Sequence, residues 1–316
     1  MRITMIGDSA VGKTTFMMST YGLMREGEIE GFQVRCKSEY ADKKLIRAYR
    51  DFRTAGIYPP ATVAMSSYNY DFYSDKEWVI NFTLTDIRGE DIHSYDINEL
   101  AKSLRESDAV MLFLNGYDIL NGVDVEDQLD DIRILLHNCL NTDTDPKMLM
   151  VVFTQMDRVK NFSDAHWIAL NEAVAELKKM ADKNDNLEYL AVPTACSLDC
   201  MMDLDYAMVS LMRFGYSTEV LTRKKKLEEE AESIIRQYGE GFWRGAKEFV
   251  LEFFWYDKER RKARERAAIL QTQLVEYEKM LAKFNKLYKF HEDYKLGTSY
   301  KIEKRWSSKM DNPFYL

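Results

Sequence analysis

Cysteine is scarce in this chain of 316 residues. Cys36, Cys139, Cys196 and Cys200 are scattered, with neither zinc-ligand spacing nor the density of a disulfide framework. They read as free thiols in a reducing compartment such as the cytosol. Histidine is equally thin: His93, His137, His166 and His291 show no ligand spacing, which argues against a zinc site. No apolar run approaches the roughly 20 residues that a membrane-spanning helix requires, so any membrane contact is expected to be peripheral. The apolar start, Ile3 to Ile6, is too short for a secretion-signal core and runs straight into a glycine-rich loop, so no cleaved leader is expected. Basic charge is not in excess. The formal net charge of -8 argues against a general nucleic-acid coat and gives no direct nucleic-acid signal. Sequence repeats at the periods of solenoids and propellers are absent, as are low-complexity tracts.

What is present is an apolar content of 46%, enough for a proper core. Short apolar and β-branched runs alternate with helical patterns from residue 2 to about residue 216, the pattern of an α/β sheet wrapped by helices. Candidate strands are Arg2 to Ile6, Tyr68 to Tyr73, Trp78 to Thr85, Ala109 to Asn115, Met148 to Thr154 and Tyr189 to Pro193. The polar turn Ser74-Asp75-Lys76-Glu77 makes the second and third an antiparallel hairpin. A strand-helix insert is expected at 31–56, with a helix from Ser38 to Arg53, Ala41, Leu45, Ala48 and Phe52 on one face, and Gly56 as its stop. Ser163 is a candidate N-cap before Ile168, Val174, Leu177 and Met180, and Asp203 before a last helix ending near Gly215.

From residue 219 onward the chain is rich in Lys, Arg and Glu, and no strand signal remains. Val220, Lys224, Leu227, Ala231, Ile234 and Tyr238 form one row at four-three spacing; Leu270, Leu274, Tyr277, Leu281, Phe284 and Tyr288 form a second. The region Gly239 to Gly245 interrupts them, which predicts an antiparallel, coiled-coil-like helical hairpin. The expected division is a first domain at 1–217, a helical arm at 218–296 and a tail at 297–316.

Gly7-Asp8-Ser9-Ala10-Val11-Gly12-Lys13-Thr14 matches G-x-x-x-x-G-K-[ST], after a strand and before a helical segment, as phosphate binding requires. Glycines let consecutive backbone N–H groups curl toward phosphates, and the start of the following helix, with Thr15, adds its positive end. Lys13 would reach the outer phosphates, and the Thr14 hydroxyl would ligate Mg²⁺. Asp86-Ile87-Arg88-Gly89 directly follows a strand, where a metal-side carboxylate is expected: Asp86 for Mg²⁺, and the Gly89 N–H for the γ-phosphate. Thr62 is the candidate for closing over Mg²⁺ and the γ-phosphate, with Thr54 second. Thr154-Gln155-Met156-Asp157 ends another strand, and the Asp157 carboxylate can accept from guanine N1–H and the 2-amino group, a donor pair that adenine lacks. Thr194-Ala195-Cys196 ends the next, with the Ala195 N–H as a donor to guanine O6.

With these five elements in order, residues 1 to 216 resemble the Ras-like, translation-factor-related (TRAFAC) class of P-loop GTPases. The stretches Gly31-Phe32-Gln33-Val34-Arg35 and Gly56-Ile57-Tyr58-Pro59-Pro60-Ala61-Thr62 look like the bacterial double-GTPase domains associated with conflict systems. The resemblance implies a doubly wound sheet, GTP and GDP as ligands, Mg²⁺, Mg²⁺-dependent hydrolysis to GDP and phosphate, and two switch loops ordered by the γ-phosphate. There are departures. Asn-Lys is replaced by Thr154-Gln155, losing a lysine stem that would pack on the base. Glu90 stands where the water-orienting glutamine is expected, which predicts slow unassisted hydrolysis. Cys196 replaces a lysine whose loss leaves the backbone contact intact. The basic face Lys43, Lys44, Arg47, Arg50 and Arg53 is either a solvated surface or the source of an internal arginine finger, with Arg53 or Arg88 in that role.

The leading expectation is a GTP-dependent switch with an effector or regulatory protein partner. Two alternatives stand beside it. In the first, the arm makes a peripheral membrane or scaffold contact: Phe242, Trp243, Phe249, Phe253, Phe254 and Trp255, followed by Lys258 to Lys262, suit an interface as well as a buried helix contact. The second is an ATP-using P-loop enzyme, which has no use for Asp157 and Ala195. A cytoplasmic location, with or without membrane association, fits either of the first two.

Overall fold

The computed structural model describes residues 1–60, 65–87, 97–140, 145–238, 258–296 and 299–300. The order begins β1 (Arg2–Ile6), α1 (Lys13–Arg25), β2 (Phe32–Cys36), α2 (Glu39–Ala55), β3 (Ser66–Ser74), β4 (Glu77–Asp86) and α3 (Ile97–Glu106). It continues with β5 (Ala109–Asn115), α4 (Gly116–Leu120), α5 (Glu126–Leu140), β6 (Lys147–Thr154), α6 (Asp164–Ala173), α7 (Ala175–Asp182) and β7 (Leu187–Pro193). It ends with β8 (Ala195–Cys196), β9 (Met201–Met202), α8 (Leu204–Tyr238), α9 (Lys258–Asp293) and β10 (Ser299–Tyr300). All six strands expected from the apolar runs are present, as is the strand-helix insert.

Seven strands form one sheet in the order β2-β3-β4-β1-β5-β6-β7. The pairs β1·β4, β1·β5, β5·β6 and β6·β7 are parallel, whereas β3 runs antiparallel to both β2 and β4. Every buried position of β5 and β6 is apolar apart from Lys147 and Thr154, because helices cover both faces. Val110, Leu112 and Leu114 pack with Leu104, Ile132, Leu136 and Leu177 on one face. Phe113 points to the other face and meets Phe16 of α1 edge-on at 5.2 Å. A second, three-stranded sheet has the order β10-β9-β8.

The insert closes as its sequence predicts. Ser38 Oγ accepts from the Ala41 N–H at 3.3 Å, and Gly56, at φ 68°, ends α2 in the left-handed region. Leu45, Tyr49 and Phe52 form the buried face of α2. Tyr49 lies so close under α1 that a Cβ on Gly22 would fall 2.1 Å from its ring.

Three local expectations are corrected. Ser163 does begin a helix, donating its N–H to His166 Nδ1 at 3.2 Å, but Ile168 is 56% exposed. The buried stripe is Leu170, Val174, Leu177 and Ala181, whose four-three-four spacing fits the period of 3.6, which the Ile168 row does not. The helix after Asp203 does not stop near Gly215. It runs on to Tyr238, since one interior glycine costs a helix only about 1 kcal/mol. A strand does follow residue 219, although β10 is two residues long and is held by pairing with β9, which no local pattern reveals.

The chain divides into two compact units: Met1–Met212 together with the chain from Asp293, and Arg213–Glu292. Within the second unit, Leu227 and Leu270 are buried against each other with Ala231 and Tyr277 beside them. Arg223 Nη2 pairs with Glu276 at 3.4 Å. Partner numbers fall on α9 as they rise on α8, so the two helices are antiparallel. Leu274 and Tyr288 of the expected row are exposed, and Leu287 is buried instead. The aromatic residues Phe242 to Trp255 lie outside the described residues. No described helix is long and apolar enough to cross a membrane.

Candidate nucleotide site

Parallel strands deliver their carboxyl ends to one edge of a sheet, and loops leaving that edge are where open α/β sheets bind ligands. Register places the sequence motifs there together. Met5 is level with Asp86, Ile6 with Leu112, Asn115 with Thr154 and Phe153 with Pro193.

The loop after β1 curls through left-handed conformations at Ala10 (φ 61°) and Gly12 (φ 104°), and Gly7 has φ 145°. A side chain on Gly7 would also place Cβ 2.5 Å from Phe113 O, so only glycine fits. Ser9 and Ala10 are exposed at the crest, with Asp8 partly buried beside them; Thr14 and Thr15 lie in the first turn of α1. Lys13 folds back over the loop, donating to Gly7 O at 2.6 Å and Asp8 O at 2.9 Å. Burial pulls its pKa below the ordinary lysine value, against the opposing pull of Asp86 and Asp8. Thr14 Oγ1 donates to Asp86 Oδ2 at 3.0 Å, and Asp86 is buried. A hydroxyl and a carboxylate in contact at the phosphate loop are hard oxygen donors that suit Mg²⁺ completed by nucleotide phosphates. Among the described residues no cluster of three or more His, Cys, Asp or Glu offers an alternative metal site.

The candidate base motif is laced to the phosphate loop. Thr154 Oγ1 donates to Val11 O at 2.6 Å and lies 3.1 Å from Leu114 O, so the residue that stands in place of asparagine fastens β6 to the phosphate loop. Met156 N–H bonds Thr194 O at 3.2 Å, and Thr194 N–H bonds Phe153 O at 2.6 Å, which ties the two base motifs together. Gln155 sits at φ 59°, a left-handed conformation that is uncommon outside glycine. Its Oε1 accepts from Arg158 Nη1 at 2.6 Å, and the Arg158 guanidinium lies 3.9 Å over the Tyr117 ring. Crowding off of water raises the Asp157 pKa above the ordinary aspartate value, opposed by its own backbone N–H, Arg158 and Ser197. Ala195 is buried and level with Met202 across β8–β9, and burial pushes the Cys196 thiol far up.

Among solved structures the chain is similar to the mammalian signal-recognition-particle receptor, at 11% identity and a TM-score of 0.37, over 68% of this chain and 100% of that one. It is also similar to a GTP-binding protein from Sulfolobus solfataricus in complex with GDP, at 14% identity and 0.37, over 69% of this chain and 51% of that one. The Arl6 BBS3 small GTPase from Trypanosoma brucei, with bound GppNp, matches at 13% and 0.33, over 62% and 86%. No curated protein matches the chain significantly. Likenesses this distant decide nothing, but a family model does: Double-GTPase 2 matches residues 1–192. The chain belongs to the Double-GTPase 2 family. It is therefore a P-loop GTPase of the double-GTPase type, and membership implies guanine-nucleotide binding.

Not every candidate of this double-GTPase chain is gathered at the site. Thr62, Arg88, Gly89 and Glu90 lie outside the described residues. Thr54 lies in α2 with its hydroxyl donated to Arg50 O at 2.8 Å. Arg53 stands 5.9 Å over the Tyr49 ring and donates to Met201 Sδ at 3.8 Å. Met201 is level with Cys196, so Arg53 is at the base hairpin. The rest of the basic face is largely ion-paired surface: Lys43 with Glu39, Arg47 with Asp51 and Arg50 with Glu26. Tyr58, exposed beyond the end of α2, is close enough to Asp157 to feel its charge. Its ring is 5.0 Å from Phe52, and burial, then the charges of Asp157 and Cys196, raise its phenol. Only the bend at Gly56 brings it there, a placement no periodicity announces.

Proposed function

We propose that this double-GTPase chain is a GTP-dependent switch that binds GTP and GDP with Mg²⁺, hydrolyses GTP slowly, and passes the change to a protein partner. The observation that carries the reading is the convergence of the phosphate loop, the Thr14–Asp86 pair and the laced base motifs on one edge of the sheet. Lys13 neutralises the outer phosphates; Thr14 and Asp86 hold the metal, which when bound offsets charge on the transferred phosphoryl group. Asp157 and the Ala195 N–H read the guanine edge. Thr62, Gly89 and Glu90 are assigned to the γ-phosphate by their sequence motifs, with Arg88 or Arg53 as a source of internal positive charge. Glu90 is anionic where a neutral water-orienting group works best, so intrinsic turnover is expected on the order of 10⁻⁴ to 10⁻² s⁻¹. The helical unit Arg213–Glu292 is the proposed partner surface.

Affinities for GTP, GDP and ATP, with turnover measured on the same protein with and without Mg²⁺, test this reading. Tight guanine-nucleotide binding with weak ATP binding supports it. Equal affinity for GTP and ATP would sink the base assignment, and Mg²⁺-independent turnover would sink the metal assignment.

A further inference from the structure

Three groups meet where α8 begins. Asp203 and Asp205 are buried, at 0% and 2% exposure, and the Tyr294 O–H donates to Asp205 Oδ1 at 2.8 Å while lying 3.1 Å from Asp203 Oδ1. The Tyr294 ring stacks on Tyr206 with centroids 4.7 Å apart. Burial and the two carboxylates hold the phenol far above its ordinary pKa, so it remains a donor throughout the physiological range. Asp205 Oδ1 also accepts from the Tyr206 N–H at 2.7 Å, so backbone and phenol share this buried carboxylate, and the phenol is the donor that ties it to the chain beyond α9.

That backbone is the foot of the base hairpin. Asp203 directly follows Met202 of β9; Met202 is level with Ala195 on one side and with Ser299 of β10 on the other. Tyr294 and β10 therefore hold the hairpin twice, by a phenol at its foot and by a strand along its edge. Chain separation makes the arrangement more specific. Tyr294 and Asp203 are 91 residues apart, and the whole helical unit Arg213–Glu292 lies between them in sequence.

We infer that Tyr294 is a positioning residue for guanine recognition, through which the C-terminal segment sets how tightly the base motif holds its nucleotide. The inference rests on the guanine assignment of Asp157 and Ala195. Tyr294 pins Asp203 and Asp205, these fix the end of β9, and β9 fixes the strand that carries Ala195.

Tyr294→Phe keeps the ring and its stacking on Tyr206 and deletes only the donor. GDP release is expected to be about tenfold faster, the scale of a lost hydrogen bond to a charged group. Preference for GDP over 6-thioguanosine diphosphate, which keeps N1–H and the 2-amino group but carries a poorer acceptor at position 6, should fall, while affinity for inorganic pyrophosphate stays unchanged. A folded variant with GDP release and base preference within roughly twofold of the parent overturns the inference; so does equal loss of GDP and pyrophosphate affinity, the result of general destabilisation. A measurement on the unaltered chain needs no variant to fold. By reciprocity of coupling, GDP should slow backbone hydrogen exchange in 195–202 and 294–300 together, and pyrophosphate should not. Exchange in 294–300 that ignores GDP overturns the inference. Failure of the unaltered chain to bind GDP overturns the guanine reading, and this inference with it.

Discussion

The two ends of the nucleotide site are built by different means. At the phosphate end one contiguous stretch, Gly7 to Thr14, supplies loop, lysine and metal-side hydroxyl, and one strand-end carboxylate, Asp86, completes it. At the candidate base end the chain has Thr154, Gln155 and Cys196 where its class has other residues, and contacts to the β8–β9 hairpin and the residues that follow it arrive from far away in sequence: Arg53 from α2, at Met201, and Tyr294 from beyond α9, at Asp203 and Asp205. Phosphate recognition depends on backbone curvature, which few sequences can satisfy. Base recognition depends on holding a carboxylate and one N–H in place, which many surroundings can do. The phosphate end should therefore be intolerant of single changes and the base end graded in its response.

The largest effect is expected at the phosphate end. Lys13→Ala removes the lysine that folds over the loop, and Thr14→Ala the hydroxyl on Asp86; either should lower Mg²⁺-dependent GTP affinity by about a hundredfold or more, by analogy with losing a charge-assisted contact to phosphate. Titration of a fluorescent GTP analogue with and without Mg²⁺ measures it. Retention of affinity in Lys13→Ala would remove the distinction between the two ends. Next comes Asp157→Asn, expected to weaken GDP binding by about one to two orders of magnitude and to improve binding of xanthosine diphosphate, whose base offers an acceptor at the position of the guanine 2-amino group. Competition between the two nucleotides reads the exchange directly.

Legibility follows the same division. Gly7, Gly12, Lys13, Thr14 and Asp86 were readable because chemistry and backbone geometry are both local there, and the alternation of apolar runs with helical patterns was enough to place the sheet. The places of Asp157 and Ala195 at the ends of β6 and β7 were readable from the strands before them, and their contacts to the base are a proposal. Arg53 was readable only as one member of a basic face; its contact with Met201 depends on how α2 packs. Tyr58, Tyr294 and β10 carry no local signal, since each is put in place by pairing or packing across long stretches of chain. The Ile168 row failed because apolar residues at a plausible spacing do not say which of two adjacent stripes faces the sheet.

A smaller effect tests the lacing between the ends. Thr154→Val keeps shape and β-branching but leaves Val11 O without the 2.6 Å bond it accepts. The expected cost is about 1–2 kcal/mol of stability, measured by denaturant unfolding without nucleotide. GDP affinity should fall several-fold, because the phosphate loop loses its fastening to β6. An unchanged stability would mean that the loop holds its curvature unaided, which would make the phosphate end even more self-contained than argued above.

The smallest expected effect is a pH dependence confined to the base end. Asp157 accepts guanine donors only as the carboxylate, and the loss of surrounding water raises its pKa above the ordinary aspartate value of about 3.9. Protonation, which turns one of the two accepting oxygens into a donor, therefore sets in at a higher pH than it would for a free aspartate. GDP affinity should be full at neutral pH and decline as pH falls toward that raised value. The nucleotide's own phosphate also titrates on the way down, so the decline alone is ambiguous. Asp157→Asn separates the causes: its phosphate contacts are the same but its side chain does not titrate, so its weaker affinity should show only the phosphate component. A ratio of parent to Asp157→Asn affinity that shrinks with falling pH is the expected result. A ratio that stays constant from pH 7 to 5 would mean that Asp157 remains ionised across this range, and that neighbouring donors, Ser197 and its own backbone N–H among them, outweigh the burial.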